Sequence, residues 1–132
     1  MGKVVLFAVL TLDGCLADKP GEVRREIEEI RETAHPLSEN TPLTLLSGWV
    51  KESPSHCVHL IEAATETADT INILLRMRRI DEIIFCTLPV ISGKSNRLFR
   101  LPLPESLWAL EETKVRKGGY VRTVYRRHDP EN

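Results

Sequence analysis

The feature that most constrains the fold is an uninterrupted apolar run near the amino terminus, residues 4–10 (VVLFAVL). This run is far too short to span a bilayer, and it lacks the pattern of a secretory signal, so we expect no membrane association. A short continuous apolar run instead predicts a strand covered on both faces, as in the centre of a parallel sheet. Asp13-Gly14 then predicts a turn directly after the strand.

A helical periodicity follows the next break in the chain, at residues 19–21. One face of the predicted helix carries apolar residues at spacings of four, three and four: Val23, Ile27, Ile30 and Ala34. The charged residues of 22–32 are expected to form its solvated face. Pro36 is expected to end the helix, because the residue before a proline disfavours helical geometry.

The remaining chain continues this alternation. Apolar patterns and breaks predict two strands, a second helix, a third strand and a closing hairpin: 43–46, 58–61, 66–79, 83–88, and 107–116 with 120–127. Gly118-Gly119 suits the positive φ angles of a tight hairpin turn, and Thr65 or Thr67 is placed to cap the second helix. We therefore expect a single α/β domain over 1–132, with a mixed, mostly parallel sheet flanked by helices, right-handed crossovers and a C-terminal β-hairpin.

The charge balance limits the classes of partner. The formal net charge is −1, whereas nucleic-acid binding needs clustered Lys and Arg, so we expect no nucleic-acid partner. Residues 1–66 carry 6 basic and 11 acidic side chains, and residues 67–132 carry 12 and 8. This asymmetry indicates either two differently charged parts of an ordinary mixed surface or an anion site in the C-terminal half.

The three cysteines, Cys15, Cys57 and Cys86, are odd in number and have no C-x-x-C spacing, which indicates reduced thiols and a cytoplasmic location. Cys15 is expected to be a small buried residue, with a reactive thiol near a cleft as the alternative. His56, Cys57 and His59 have a spacing that could offer metal ligands. Neighbours on a strand point to opposite faces, however, and no fourth ligand is evident, so we expect no metal site.

Several stretches carry a resemblance to a known family. Residues 4–18 (VVLFAVLTLDGCLAD) resemble the first strand and turn of the dihydrofolate-reductase-like family, especially the reductase domain of bacterial riboflavin biosynthesis, the RibD C-terminal domain. In that family the strand ends in Ser/Thr-x-Asp-Gly-x-x-Ala, which is matched by Thr11, Asp13, Gly14 and Ala17.

Two later stretches extend the resemblance over almost the whole chain. Residues 45–52 (LLSGWVKE) are similar to a strand followed by a Gly-Arg-x-Thr-x-Glu helix start; Gly48 and Glu52 fit, and Trp49 stands where Arg is usual. Residues 74–99 are similar to the family's helix, Ile-Asp-Glu strand, Pro-Val-x-x-Gly turn and Leu-Phe pair.

The resemblance implies an oxidoreductase that passes hydride from NADPH to a pyrimidine or pterin-like substrate. Its relatives would be the 5-amino-6-(5-phosphoribosylamino)uracil reductase of riboflavin biosynthesis and dihydrofolate reductase. The cofactor-binding residues implied are Thr11, Gly14, Ser47, Gly48 and Gly93, and the substrate-binding residues are Pro89, Lys94 and Arg97. The resemblance also implies a homodimer, since family members often pair through sheet edges or terminal strands.

Individual side chains leave alternatives open. Asp13 is the candidate for catalytic acid–base chemistry, or it stabilises the Asp-Gly turn. Lys94, Arg97 and Arg100 could hold a substrate phosphate, or they solvate a loop.

One departure from the family bears on the cofactor. Family enzymes carry a Gly-Gly pair at the start of the helix before the Ile-Asp-Glu strand, because the cofactor diphosphate sits on that helix N-terminus. Counting back from Ile80, the corresponding positions are Glu66, Thr67 and Ala68, where a carboxylate and Cβ atoms oppose a diphosphate. The chain is also shorter than typical members between Gly48 and the second helix. The alternative function is therefore a catalytically degenerate member, acting as a small-ligand-binding or dimeric interaction module without NADPH.

Overall fold

The computed structural model describes residues 2–41, 48, 52, 54, 56–100 and 102–128. In chain order the elements are β1 (Lys3–Leu10), α1 (Gly21–Arg31), β2 (Ala34–Leu37), β3 (Val58–Glu62), α2 (Ala68–Arg76), β4 (Glu82–Thr87), β5 (Trp108–Val115) and β6 (Val121–Arg127). The predicted strand at 43–46 lies outside the described residues. None of the described helices is long and apolar enough to cross a membrane.

The strands form one six-stranded sheet in the order β2-β3-β1-β4-β6-β5. β1 lies between β3 and β4 and is parallel to both, and β2 is parallel to β3. β6 runs antiparallel to β4, and β5 antiparallel to β6. The mostly parallel sheet and the C-terminal hairpin predicted from the sequence are thus confirmed.

β1 is buried from Val4 to Leu10 because helices cover both faces of the sheet. On one face, Val23 and Ile27 of α1 belong to the same apolar cluster as the odd-numbered residues of β1. On the other face, Ile71 and Leu74 of α2 belong to the same cluster as its even-numbered residues. Successive strand side chains alternate between faces, so a strand between two helical layers must be apolar at every position.

The end of α1 differs from the sequence-based prediction. The helix ends at Arg31, and Ala34 and Pro36 belong to β2 instead. In the described sheet β2 is an outer strand, and a proline is tolerated there because one side of the strand needs no ladder hydrogen bonds. Pairing with β3 outweighs the high helix propensity of Ala34.

The start of α2 also differs in detail. Thr67 occupies the N-cap position but makes no capping hydrogen bond. Its hydroxyl donates to the carbonyl oxygen of Glu62 at 2.7 Å and accepts from the backbone N–H of Ala64 at 3.0 Å. Thr67 therefore closes the turn between β3 and α2 rather than capping a free backbone N–H group at the start of the helix.

Candidate functional site

The sheet topology indicates that a ligand would bind at one edge of the sheet, formed by the carboxyl ends of its parallel strands. From β1 the chain passes to β2 and β3 on one side, and β4 lies on the other side. In open α/β sheets ligands bind outside the carboxyl ends of the parallel strands where the strand order reverses. The turn after β1, residues 11–16, and the loop after β4, residues 88–97, meet at this edge.

The turn after β1 is fixed by its own hydrogen bonds. The backbone N–H of Thr11 donates to the carbonyl of Cys15 at 2.9 Å, and the Thr11 hydroxyl accepts from the Cys15 N–H at 3.0 Å. Gly14 has a φ of +79°, which an L side chain rarely adopts. The predicted Asp13-Gly14 turn is therefore present, and Thr11 contributes to its structure.

Asp13 joins the two loops. Its carboxylate accepts a hydrogen bond from the Thr11 hydroxyl, and it accepts from the backbone N–H groups of Ser92 at 3.1 Å and Gly93 at 3.0 Å. The hydrogen bonds from Thr11, Ser92 and Gly93 hold the pKa of the Asp13 carboxyl well below its usual range. A carboxylate so strongly stabilised as an anion has no proton to donate at neutral pH, so these contacts favour the turn-stabilising alternative.

Further contacts bind the loops together along their length. The backbone N–H of Leu12 donates to the carbonyl of Val90 at 2.8 Å, and that of Leu16 to the carbonyl of Asn96 at 2.9 Å. Cys15 is fully buried and its thiol lies 3.2 Å from the carbonyl oxygen of Lys94. Cys15 thus packs as the small buried residue predicted from the sequence.

The candidate residues divide into three groups. Seven converge on the paired loops: Thr11, Asp13, Gly14, Pro89, Gly93, Lys94 and Arg97. Gly48 is described without its chain neighbours, and no other described residue has an atom within 4 Å of a Cβ placed on it. Ser47 lies outside the described residues.

Lys94 and Arg97 are the free charges of this site. Both side chains are exposed, and in the described part of the chain neither forms an ion pair. The Arg97 guanidinium lies beside Gly14, with one nitrogen 3.6 Å from the position of an added Cβ. Arg100, in contrast, pairs with Asp69. Two unneutralised cations on a braced loop can bind an anionic group.

The junction between β3 and α2 is the second part of this edge. No glycine occurs in residues 62–67. Glu62 ends β3 and accepts from Lys19 Nζ and Arg31 Nε, each at 2.8 Å. Burial alone would raise the pKa of Glu62, but the hydrogen bonds from Arg31 and Lys19 outweigh it and lower the pKa. Glu62 is therefore a paired, ionised carboxylate.

The start of α2 has no glycine pair and has acidic residues near it. Thr67 and Ala68, at two of the positions expected for the glycine pair, form the N-cap and first residue of α2. Carboxylates are present before the helix at Glu62 and Glu66 and in its first turn at Asp69. Glu62 and Asp69 form ion pairs, whereas in the described part of the chain Glu66 forms none, so its carboxylate would oppose an anion at the helix N-terminus.

His56, Cys57 and His59 are the residues whose spacing could offer metal ligands. Among the described residues, no three His, Cys, Asp or Glu side chains are grouped to hold a metal. His59 is buried and packs against His35 of β2, with ring centroids 5.4 Å apart. Desolvation, together with the neighbouring His35, lowers the pKa of His59, which favours a neutral ring.

The sequence-based prediction was wrong about Glu26, which was assigned to a solvated helix face. Its carboxylate lies 2.7 Å from Arg116 Nε and 3.6 Å from Arg122 Nε, and the Cys86 thiol donates to it at 3.5 Å. Burial and Glu26 raise the pKa values of Cys86 and Tyr120, each to about 12. In the sequence, the indication of this position was that Glu26 directly precedes Ile27 and so lies beside the apolar face of α1.

Comparisons with known proteins give a consistent picture of the fold. No protein-family profile matches the sequence, and no curated protein is significantly similar to it. Solved structures do match. A protein assigned to riboflavin biosynthesis from Shewanella sp. PV-4 has a TM-score of 0.65 at 17% identity, over 96% of this chain and 99% of that one.

Two further solved structures are similar to this chain in fold. RibD from Acinetobacter baumannii has a TM-score of 0.74 at 16% identity over 97% of this chain, which spans only 58% of that protein. Dihydrofolate reductase from Enterococcus faecalis, complexed with NADP(H) and RAB-propyl, has a TM-score of 0.66 at 10% identity, over 96% and 97% of the two chains. The chain therefore has the dihydrofolate-reductase-like fold.

Proposed function

We propose that this protein binds a small heterocyclic ligand of the pyrimidine or pterin class, carrying a phosphate or another anion, without using NADPH. The observation that carries the proposal is the pair of unneutralised cations, Lys94 and Arg97, on a loop fixed at the carboxyl ends of the parallel strands. Cationic side chains at such an edge form charge-assisted hydrogen bonds with phosphate oxygens.

The loop is held in place before any ligand arrives. Asp13 binds the backbone of Ser92 and Gly93, and Cys15 pairs with Arg97 across an antiparallel bridge. A braced loop loses less conformational freedom when it binds, so more of the interaction energy appears as affinity. In this proposal Asp13 has a positioning role, and Lys94 and Arg97 make the contacts with the ligand.

A second candidate function is an NADPH-dependent reductase related to the riboflavin-pathway enzyme. It is supported by structural likeness over 96–97% of this chain to a riboflavin biosynthesis protein, to RibD and to a reductase complexed with NADP(H). The absence of a glycine pair at residues 66–68 and the carboxylate of Glu66 argue against it, because Cβ atoms and a negative charge oppose a diphosphate at a helix N-terminus.

Cofactor fluorescence distinguishes these two functions. The purified protein is titrated with NADPH, and we expect no saturable change at cofactor concentrations up to about 1 mM, which corresponds to binding weaker than about −4 kcal/mol. Saturable binding in the micromolar range would establish the reductase alternative and refute the claim that NADPH is not used.

Calorimetry tests the anion site with a defined probe. We expect uridine 5′-monophosphate to bind more tightly than uridine, and Lys94→Ala and Arg97→Ala each to weaken that binding several-fold. Arg25→Ala, which removes an exposed cation from α1, is the matched control and is expected to have no effect. Equal affinities for the two probes, or equal losses in all three variants, would contradict the proposed site.

We also propose that the protein is a homodimer. β5 is an outer strand of the described sheet, and it exposes Leu110 and Val115. An exposed strand edge tends to be covered by another chain or protected. Size-exclusion chromatography with light scattering tests this proposal; a single species at the 15.0 kDa monomer mass at micromolar concentration would exclude it.

A further inference from the structure

A cavity of about 370 Å³ opens on the α2 face of the sheet, away from the loops described above. Its floor is formed by β4 and β6, its upper wall by the end of α2, and its outer wall by Phe99 and residues 103–108. The lining residues are Leu75, Ile83, Phe85, Phe99, Leu103, Pro104, Ser106, Trp108 and Tyr125. This volume is within the range of small-molecule binding sites.

The lining is unusually rich in aromatic side chains. The chain has only 7 aromatic residues, and four of them line this cavity: Phe85, Phe99, Trp108 and Tyr125. Phe85 makes edge-to-face contacts with Phe99 and Tyr125, at centroid distances of 6.0 and 6.2 Å. Phe99 nevertheless remains 38% exposed, so these rings present surface to the cavity instead of sealing it. Flat aromatic walls favour a planar ring as the ligand.

A second cavity, of about 530 Å³, adjoins the first and shares Leu75, Ser106 and Trp108 with it. Its lining is partly apolar and partly polar, and its basic side chains, Arg78, Arg127 and His128, are opposed by a single carboxylate, Glu105. Arg127 is paired with Asp81 at 3.0 Å and also donates to the carbonyl of Arg78. In the described part of the chain the Arg78 guanidinium has no partner.

We infer that these two cavities form one binding site for a planar aromatic molecule that carries an anionic group. The ring lies among Phe85, Phe99 and Trp108, and the anionic group lies against Arg78 at the mouth. Three basic side chains, of which Arg127 is already paired with Asp81, face one lining carboxylate, which matches an anion better than a cation. The mouth lies at the amino end of β4, the opposite end of that strand from the Asp13 loops, so this site does not depend on the proposed function.

Fluorescent probes of matched shape test the assignment. The probe 8-anilinonaphthalene-1-sulfonate has fused rings and an anionic group, and N-phenyl-1-naphthylamine has the rings without the sulfonate. We expect saturable binding of the sulfonate probe with 1:1 stoichiometry to protein that keeps a cooperative thermal transition. We expect the neutral probe to bind more weakly.

Three substitutions connect the signal to the cavity. Phe99→Ala is expected to weaken sulfonate-probe binding about three- to tenfold by removing one aromatic wall. Leu103→Trp should weaken binding, because the larger side chain occupies part of the cavity. Arg78→Gly should weaken the sulfonate probe about two- to fivefold and leave the neutral probe unchanged, since only the charge contact is lost. Val115→Ser, at an exposed apolar residue outside the cavity, is the control.

The results distinguish a small-molecule ligand in the cavity from a second copy of the chain and from nonspecific adsorption. Loss of probe binding as protein concentration rises and a dimer forms would assign the aromatic cavity to a second copy of the chain and overturn the inference. Equal effects of Phe99→Ala and Val115→Ser would show nonspecific adsorption to exposed apolar surface. The absence of any saturable binding would also refute the site.

Discussion

Asn72 connects α2 to the outer wall of the aromatic cavity, and its removal is the sharpest test of how that wall is held. The side chain is only 3% exposed. Its amide nitrogen donates to the carbonyl oxygens of Ala68 at 2.7 Å and Leu98 at 2.8 Å, and its amide oxygen accepts from the backbone N–H of Arg100 at 3.0 Å. One side chain thus satisfies two backbone groups of an irregular segment.

Asn72→Ala leaves the Leu98 carbonyl and the Arg100 N–H without their partner. Each buried polar group left unsatisfied costs roughly 1–3 kcal/mol. The Arg100 side chain is exposed, so water can reach part of this segment and relieve part of the cost. We therefore expect the free energy of unfolding to fall by about 2–4 kcal/mol, which is a large share of the roughly 5–15 kcal/mol typical of a domain.

Urea unfolding followed by far-UV circular dichroism measures this change as a lower midpoint at unchanged slope. Thr70→Ala is the matched control, because Thr70 is on the same helix and its side chain makes no hydrogen bond to another described residue. A loss below about 1 kcal/mol in Asn72→Ala would refute the reasoning, since it is no more than an ordinary surface substitution produces.

Three further predictions concern other positions. Folding lowers the pKa of Asp13, so the ionised carboxylate stabilises the folded state above the usual carboxyl pKa of about 4, and this stabilisation is lost as the pH falls below that value. Asp13→Asn should therefore flatten the acid side of a plot of melting temperature against pH between about 2 and 5. Arg78 has a φ of +56°, so Arg78→Gly should keep or raise the unfolding free energy, by up to about 1 kcal/mol, in urea titrations; a clear loss would contradict this. The Cys86 thiol has a pKa of about 12, so mass spectrometry after alkylation at pH 8 should show it unmodified in folded protein while half-buried Cys57 reacts; equal labelling would disprove the burial.

Much of the fold could be predicted from the local pattern of apolar residues and turn residues. The buried run at 4–10, the amphipathic segment that became α2 and the paired strands around Gly118-Gly119 were all predicted with bounds close to those observed. β2 was not predicted, because Ala34 continues the helical spacing of α1 and Pro36 usually ends an element. Only the neighbouring β3 provides the hydrogen bonds that make 34–37 a strand.

The candidate site was predictable as a set of residues but not as a set of roles. The match to a strand-turn motif identified Thr11, Asp13 and Gly14, and the structure places them at one edge with Gly93 and Arg97. That Asp13 binds the backbone of a loop 79 residues away could not be derived from its neighbours in sequence. The inward position of Glu26 depends on Arg116 and Arg122, from the distant hairpin.

The sequence by itself determined that the apolar run at 4–10 becomes a central strand, because a segment with no polar face is stable only when both sides are covered. It also determined that no glycine is present between β3 and α2. Only the tertiary structure decided which charged groups form pairs and which residues line the cavities. Asp13 is held by the backbone of a distant loop, Lys94 and Arg97 form no ion pair with the residues that the structure describes, and four aromatic residues far apart in the chain line one cavity. Such pairings depend on distances between elements that no local pattern contains.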